Sequence, residues 1–128
     1  MLYADMPPQA AEIVHMDFPE QGFFSKKLDV KGIPVKSHAC VDDKALVEGA
    51  KRVWSQIGKQ PGIIINMTNA GAELHIIGRN QVTSDLPYLR HYRGKPYDGN
   101  QTIDERTRGF GGLQASCGEE NLLRLKSD

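Results

Sequence analysis

The chain predicts an α+β fold, an α/β sandwich in which one long amphipathic helix packs on a small mixed sheet. Three observations carry that expectation. Leu46, Ala50, Val53, Trp54 and Ile57 fall on one stripe at helical spacing. A partly alternating apolar run (Leu28, Val30, Ile33, Val35) precedes the stripe, and shorter apolar runs over 62–67 and 72–78 follow it. The resulting order of strand, helix, strand, strand is that of helices layered on a sheet.

Residues 1–22 read as a flexible lead-in. Residues 10–15 form a helical turn at most, because Pro19 and Gly22 punctuate the segment. His15 has no acidic or cysteine partner at ligand spacing and belongs on the surface. The ordered domain is assigned to 23–128 and opens at Phe23 and Phe24. The run from Leu28 to Val35 contains Pro34, which cannot donate to a ladder, so an edge position or a bulge is expected there. Asp42 and Asp43 stand where a helix N-cap belongs, Gly58 stops the helix and Pro61 prevents its return. Glu48 precedes Arg52 by one helical turn, a favourable surface pair, and Trp54 on the apolar stripe is core. Residues 62–67 read as a buried strand and 68–71 as a turn. Residues 72–78 read as a strand with Leu74 and Ile76 on one face and Glu73, His75 and Ile77 on the other.

Regularity fades over 79–101. Pro87, Gly94, Pro96 and Gly99 interrupt that stretch, while Tyr88, Tyr92 and Tyr97 alternate with Arg90, His91, Arg93 and Lys95. Tyrosines that pin a loop with solvated charges account for the mixture, and so does a surface that grips an anion. From Thr102 the chain reads as a charged, glycine-hinged loop feeding an extended segment, anchored by Leu122, Leu123 and Leu125.

At 128 residues the chain is one domain able to bury its own core. Its 16 basic and 16 acidic residues cancel, so no global field draws it to nucleic acid or to an anionic membrane. Electrostatic recognition has to be local, and Arg79, Arg90, Arg93, Arg106 and Arg108 are the candidates for an anionic partner. No apolar run reaches the roughly 18–20 residues a membrane span needs. The first 24 residues lack a basic region followed by an apolar one, so no signal peptide is expected. Cytoplasm is the default compartment, with secretion the alternative for a processed segment.

The residues capable of chemistry are few. Cys40 and Cys117 form no CxxC pair, which excludes a finger-type zinc site. They read as free thiols, or as a disulfide if the compartment is oxidising. His15, His38, His75 and His91 form no His-Glu-x-x-His pattern, the spacing that puts two imidazoles on one helix face beside a glutamate base. Glu73 and His75 share a strand face and could give two metal ligands, but a hydrogen-bonded pair is the plainer reading. Cys117 has small neighbours that would expose a nucleophilic thiol. Glu119 and Glu120 oppose its ionisation, so only a histidine brought near in space could activate it. Gly109, Gly111 and Gly112 lack the lysine and hydroxyl ending of a phosphate loop.

Three blocks carry a resemblance. Asp29-Val-Lys-Gly-Ile-Pro-Val35, Ala72-Glu-Leu-His-Ile-Ile-Gly-Arg-Asn-Gln-Val-Thr-Ser-Asp-Leu-Pro87 and the run from Thr102 through Ala115-Ser-Cys-Gly-Glu-Glu-Asn-Leu-Leu123 resemble a family of zincin-type metallopeptidases, distantly like the catalytic domain of anthrax lethal factor. The similarity covers roughly residues 23–125 and implies a zincin-like upstream lobe. In that family a zinc-binding His-Glu-x-x-His helix follows the Glu-Asn-Leu-Leu block, and this sequence ends at Asp128 before such a helix could begin. The resemblance therefore implies a metallopeptidase-family domain incomplete at its C-terminal end, inactive alone, with zinc expected only in full-length members. It implies a peptide or protein substrate and places Gly112, Ser116, Cys117, Glu119, Glu120 and Asn121 at the cleft edge. Apolar surface at Leu122, Leu123 or Leu125, left bare without that helix, predicts self-association. Two other readings stand beside it: a non-catalytic module that binds an anionic or peptide ligand, and a small cysteine hydrolase using Cys117.

Overall fold

The computed structural model describes residues 12–97, 99–109 and 111–124. Five strands form one mixed sheet in sequence order: β1 (Val14–Glu20), β2 (Phe24–Val30), β3 (Ile33–Ser37), β4 (Glu73–Ile77) and β5 (Gln114–Gly118). β2 runs antiparallel to both β1 and β3, and β4 and β5 then add in parallel to β3. Four helices accompany them: α1 (Asp43–Ile57), α2 (Pro61–Ala70), α3 (Ile103–Arg106) and α4 (Glu119–Leu122). Two 3-10 turns, Thr83–Asp85 and Pro87–Tyr92, occupy the stretch between β4 and α3. The α+β class, the mixed sheet and the long helix of 15 residues are as the sequence predicts.

α1 forms where its apolar stripe and caps place it. Asp42 is the N-cap, its carboxylate accepting from the Lys44 N–H at 2.9 Å, and Gly58 closes the other end. The partner of Glu48 is Lys51, at 3.2 Å, rather than Arg52. Arg52 instead borders a groove described below.

Three elements differ from the sequence reading. The single strand expected over 28–35 is a hairpin. Lys31 and Gly32 both have positive φ (54° and 92°), the two-residue turn whose twist matches flanking strands, and Asp29 Oδ2 ties it by accepting from the Gly32 N–H at 2.8 Å. Pro34 consequently lies in an interior strand. It is tolerated because the β3–β4 pairing begins one residue later, at Val35 opposite Leu74.

Residues 14–20, expected as part of a flexible lead-in, form the edge strand β1, whose register against β2 breaks between His15 and Glu20. Residues 1–11 lie outside the described residues. The strand expected over 62–67 is helix α2, with Pro61 in the first turn and Gly71 (φ 82°) closing it in the left-handed conformation. A run of three isoleucines does not distinguish a strand from a helix, and these caps decide it. No residue of α2 is buried, and Ile63 and Ile65 stand exposed.

The sheet is covered on both faces. Leu28, Val30, Val35 and Ile76 pack against Ala45, Leu46, Ala50 and Trp54 of α1, with Leu122 joining from α4. On the other face Phe23, Phe24 and Ile77 pack against Leu86, Leu89 and Ile103 from the segment after β4. β4 divides as its alternation predicts, with Leu74 and Ile76 toward α1 and Ile77 away from it.

Leu122 is buried, so it is not the bare apolar surface expected of it; Leu123 is half-buried and Leu125 lies outside the described residues. The exposed large apolar side chains include Leu113, Ile63 and Ile65. Leu46 is fully buried, so Leu46→Ala is expected to cost about 2–5 kcal/mol in urea unfolding. Ile65→Ala on the exposed side of α2 should stay within roughly 0.5 kcal/mol.

Candidate functional site

The parallel strands give the sheet two unlike ends. At their C-terminal ends, β5 turns into α4 at Gly118 and carries Glu119 inward until only 3% of it is exposed. Its carboxylate accepts from the Asp42 N–H (3.0 Å), the Arg79 N–H (3.0 Å) and Arg79 Nε (3.2 Å). Burial alone would push this carboxyl up. The donors from Arg79 and Asp42 outweigh it and hold the group below the usual glutamate range. Glu120 makes a two-pronged pair with Arg108 (2.6 and 2.8 Å), and that guanidinium lowers its pKa in turn. Arg108 also donates to the Gly78 carbonyl at 3.0 Å. A polar crevice of about 340 Å³ opens beside these pairs, lined by Cys40, Asp42, Gly78, Arg79, Asn80 and Glu119.

The arginines proposed for an anionic partner thus fall into separate groups. Arg79 and Arg108 meet the glutamates proposed for the cleft edge, and each neutralises one. Arg90 and Arg93 gather around Asp85, Arg93 pairing with its carboxylate at 2.6 Å. Arg106 ends α3.

At the opposite end, a groove of about 270 Å³ runs between the second half of α1 and the start of β5. Val53, Ile57, Leu74, Ala115 and Leu122 make it largely apolar, and Gly112 and Cys117 border it. Ser116 sits on the other face of β5, buried and in register with His75. Asn121 is exposed. The cleft-edge candidates are therefore distributed over a groove, a buried face and a pair of ion-pair ties.

Cys117 has the wrong environment for a nucleophile. Burial pushes its thiol up to about 11, Arg52 pulls against that and Glu120 adds to it. No histidine lines its groove. Cys40 is exposed, with a thiol raised by partial burial and by Glu119. Both cysteines are free thiols.

The strand-face pair Glu73 and His75 is hydrogen-bonded, His75 Nε2 to Glu73 Oε1 at 2.8 Å. Two residues not singled out in the sequence complete this cluster. Lys36 Nζ reaches Glu73 at 3.0 Å and Glu20 at 2.7 Å. Lys36 faces His75 across the β3–β4 ladder, a relation that only the strand register reveals. Burial lowers the His75 pKa and outweighs the pull of Glu73 in the other direction. Burial therefore favours the neutral imidazole. Among the described residues its Nδ1 and the Ser116 hydroxyl are buried without a hydrogen-bond partner.

These residues do not form a zinc site. A catalytic zinc needs three protein ligands and one open position, and among the described residues no three of His, Cys, Asp or Glu are grouped to hold a metal. Among the same residues no helix is long and apolar enough to cross a membrane. No family model, curated protein or solved structure matches the chain.

Two outcomes follow from these environments. Iodoacetamide should modify Cys40 faster than Cys117, and the Cys117 rate should still be climbing between pH 8 and about 10; peptide mass spectrometry over a pH series reads both. A Cys117 rate already at its plateau by pH 7 would contradict the burial argument. Glu119→Gln should lower stability by roughly 1–3 kcal/mol at neutral pH. The pKa of Glu119 is depressed in the folded chain, so its contribution is full above the ordinary glutamate range and is lost as pH falls through the depressed value. In urea titrations the gap between wild type and variant should therefore narrow in acid.

Proposed function

We propose that this domain is the upstream lobe of a zincin-like metallopeptidase fold, a scaffold that edges a peptide cleft and has no peptidase activity by itself. The observation that carries the reading is the apolar groove between α1 and β5. A mixed sheet with one long helix on one face leaves that groove beside an edge strand, with Cys117 and Leu122 on its wall and Leu113 exposed at its rim. An apolar concavity beside an unpaired edge is a place for a further helix or an extended peptide to pack. The resemblance of the three sequence blocks supplies the family. Zinc ligands would have to come from outside the described residues, among which no three of His, Cys, Asp or Glu are grouped to hold a metal.

Metal analysis of the purified 128-residue chain after gel filtration, with a peptidase assay on the same fractions, tests this reading. The expected chain is zinc-free, inactive on peptides, and either self-associated or able to bind a hydrophobic dye. One zinc per chain in a compact monomer, or peptide hydrolysis abolished by a chelator, would overturn it.

A further inference from the structure

We propose that the open cleft beyond the C-terminal ends of β3 and β4 binds an oxyanion of the phosphate type through Arg90, Arg93, His38 and Gln81. The cleft has a volume of about 470 Å³ and lies apart from both the apolar groove and the Glu119 crevice. Arg90 and Arg93 stand three positions apart at the end of the 3-10 turn Pro87–Tyr92, a geometry in which side chains at that spacing lie one above the other. Both reach back to Asp85.

The lining presents donors at Arg90, Gln81 and His38, and Arg93 adds Nη1, its Nε and Nη2 being held by Ser84 (3.1 Å to Oγ, 3.0 Å to the carbonyl) and Asp85. The Asp85 carboxylate takes Arg93 Nη2 on one oxygen (2.6 Å) and the Val82 N–H on the other (2.8 Å), while its carbonyl takes Arg90 Nη2 (3.1 Å). Gln81 Oε1 accepts from the Gly78 N–H at 2.8 Å, which leaves the amide NH₂ to donate. His38 Nδ1 accepts from the Cys40 N–H at 3.1 Å, so the neutral ring carries its proton on Nε2. The Phe23 ring lies 5.3 Å from that imidazole, tilted at 54°. Arg90 is exposed, and among the described residues its side chain makes one hydrogen bond, to the Asp85 carbonyl. Among the described lining residues, two guanidiniums face a single carboxylate, in a chain whose total charge is zero.

Four donor groups from three separate segments suit a tetrahedral anion with several acceptor oxygens. A planar carboxylate, with two oxygens, matches one arginine fork and leaves the other donors unmet.

The test is a ¹H–¹⁵N NMR titration of the whole chain with inorganic phosphate at constant ionic strength, with acetate as the second arm. Saturable shifts at His38, Gln81, Arg90 and Arg93, with phosphate preferred to acetate, are expected. Arg90→Gln gives up only the bond to the Asp85 carbonyl and should keep the urea midpoint while weakening phosphate binding about tenfold. Asp85→Asn removes the competing charge, keeps an acceptor for Val82, and should strengthen binding. Linear shifts, a preference for acetate, or saturable binding that either variant leaves unchanged would overturn the proposal.

Discussion

A carboxylate taken out of water costs several kcal/mol unless its oxygens find donors, and Glu119 finds three. The donors belong to two different junctions of the fold. The Asp42 N–H comes from the N-cap of α1, and the Arg79 backbone and side chain come from the exit of β4. Glu119 itself marks the passage from β5 into α4. One buried group therefore fixes where the long helix starts relative to the ends of two parallel strands. The Arg108–Glu120 pair, with its bond to the Gly78 carbonyl, ties the same corner from the following turn. Cross-links of this kind span long sequence separations, so they form only once β4 and β5 are paired. They then make that pairing hard to undo.

The two faces of the sheet solve different problems. Toward α1 the packing is nearly all aliphatic, and complementarity of shape is sufficient. The other face mixes Phe24, Ile77 and Leu86 with Lys36, His75 and Ser116. There the polar groups satisfy one another: Lys36 lies between Glu20 and Glu73, and the His75 ring is hydrogen-bonded to Glu73. Such a row adds little net stability, because desolvation offsets most of the attraction. It does penalise a one-residue slip of β4, which would turn His75 toward α1 and leave Lys36 with Glu20 alone.

That distinction explains what the sequence could reveal. The position of α1 was legible because stripe, N-cap and terminating glycine agree over fifteen residues. The alternation of β4 was legible because its polar and apolar positions differ. The hairpin was hidden because Lys31-Gly32 was read as strand interior, although a positive-φ turn at that pair is what glycine permits. In sequence Ile63, Ile64 and Ile65 mimic a buried strand, and only Pro61 and Gly71 at the ends of α2 mark it as a helix. The arginines were visible as charges, but their partners were not. Glu119 lies 40 residues from Arg79 and Asp42 lies 77 residues from Glu119, distances at which sequence carries no pairing signal.

Parallel strands collect loops at both ends, yet the two ends here differ in chemistry. At the N-terminal ends of β4 and β5 the neighbours are the second half of α1 and the uncharged helix α2, so the concavity there is apolar. At the C-terminal ends the neighbours are chain reversals rich in Arg, Asp, Gln and Glu, whose backbone groups need polar partners. In the cleft around Arg90 those partners are met so fully on the acceptor side that donors are left over. The two regions share no lining residue and depend on different properties, shape and desolvation in one, charge and donor count in the other. Filling the groove therefore does not consume the donors of the cleft, and an anion held at Arg90 does not alter the apolar wall at Leu122. A domain arranged this way can present one end to a packing partner while the other remains open to solvent and to a small charged ligand.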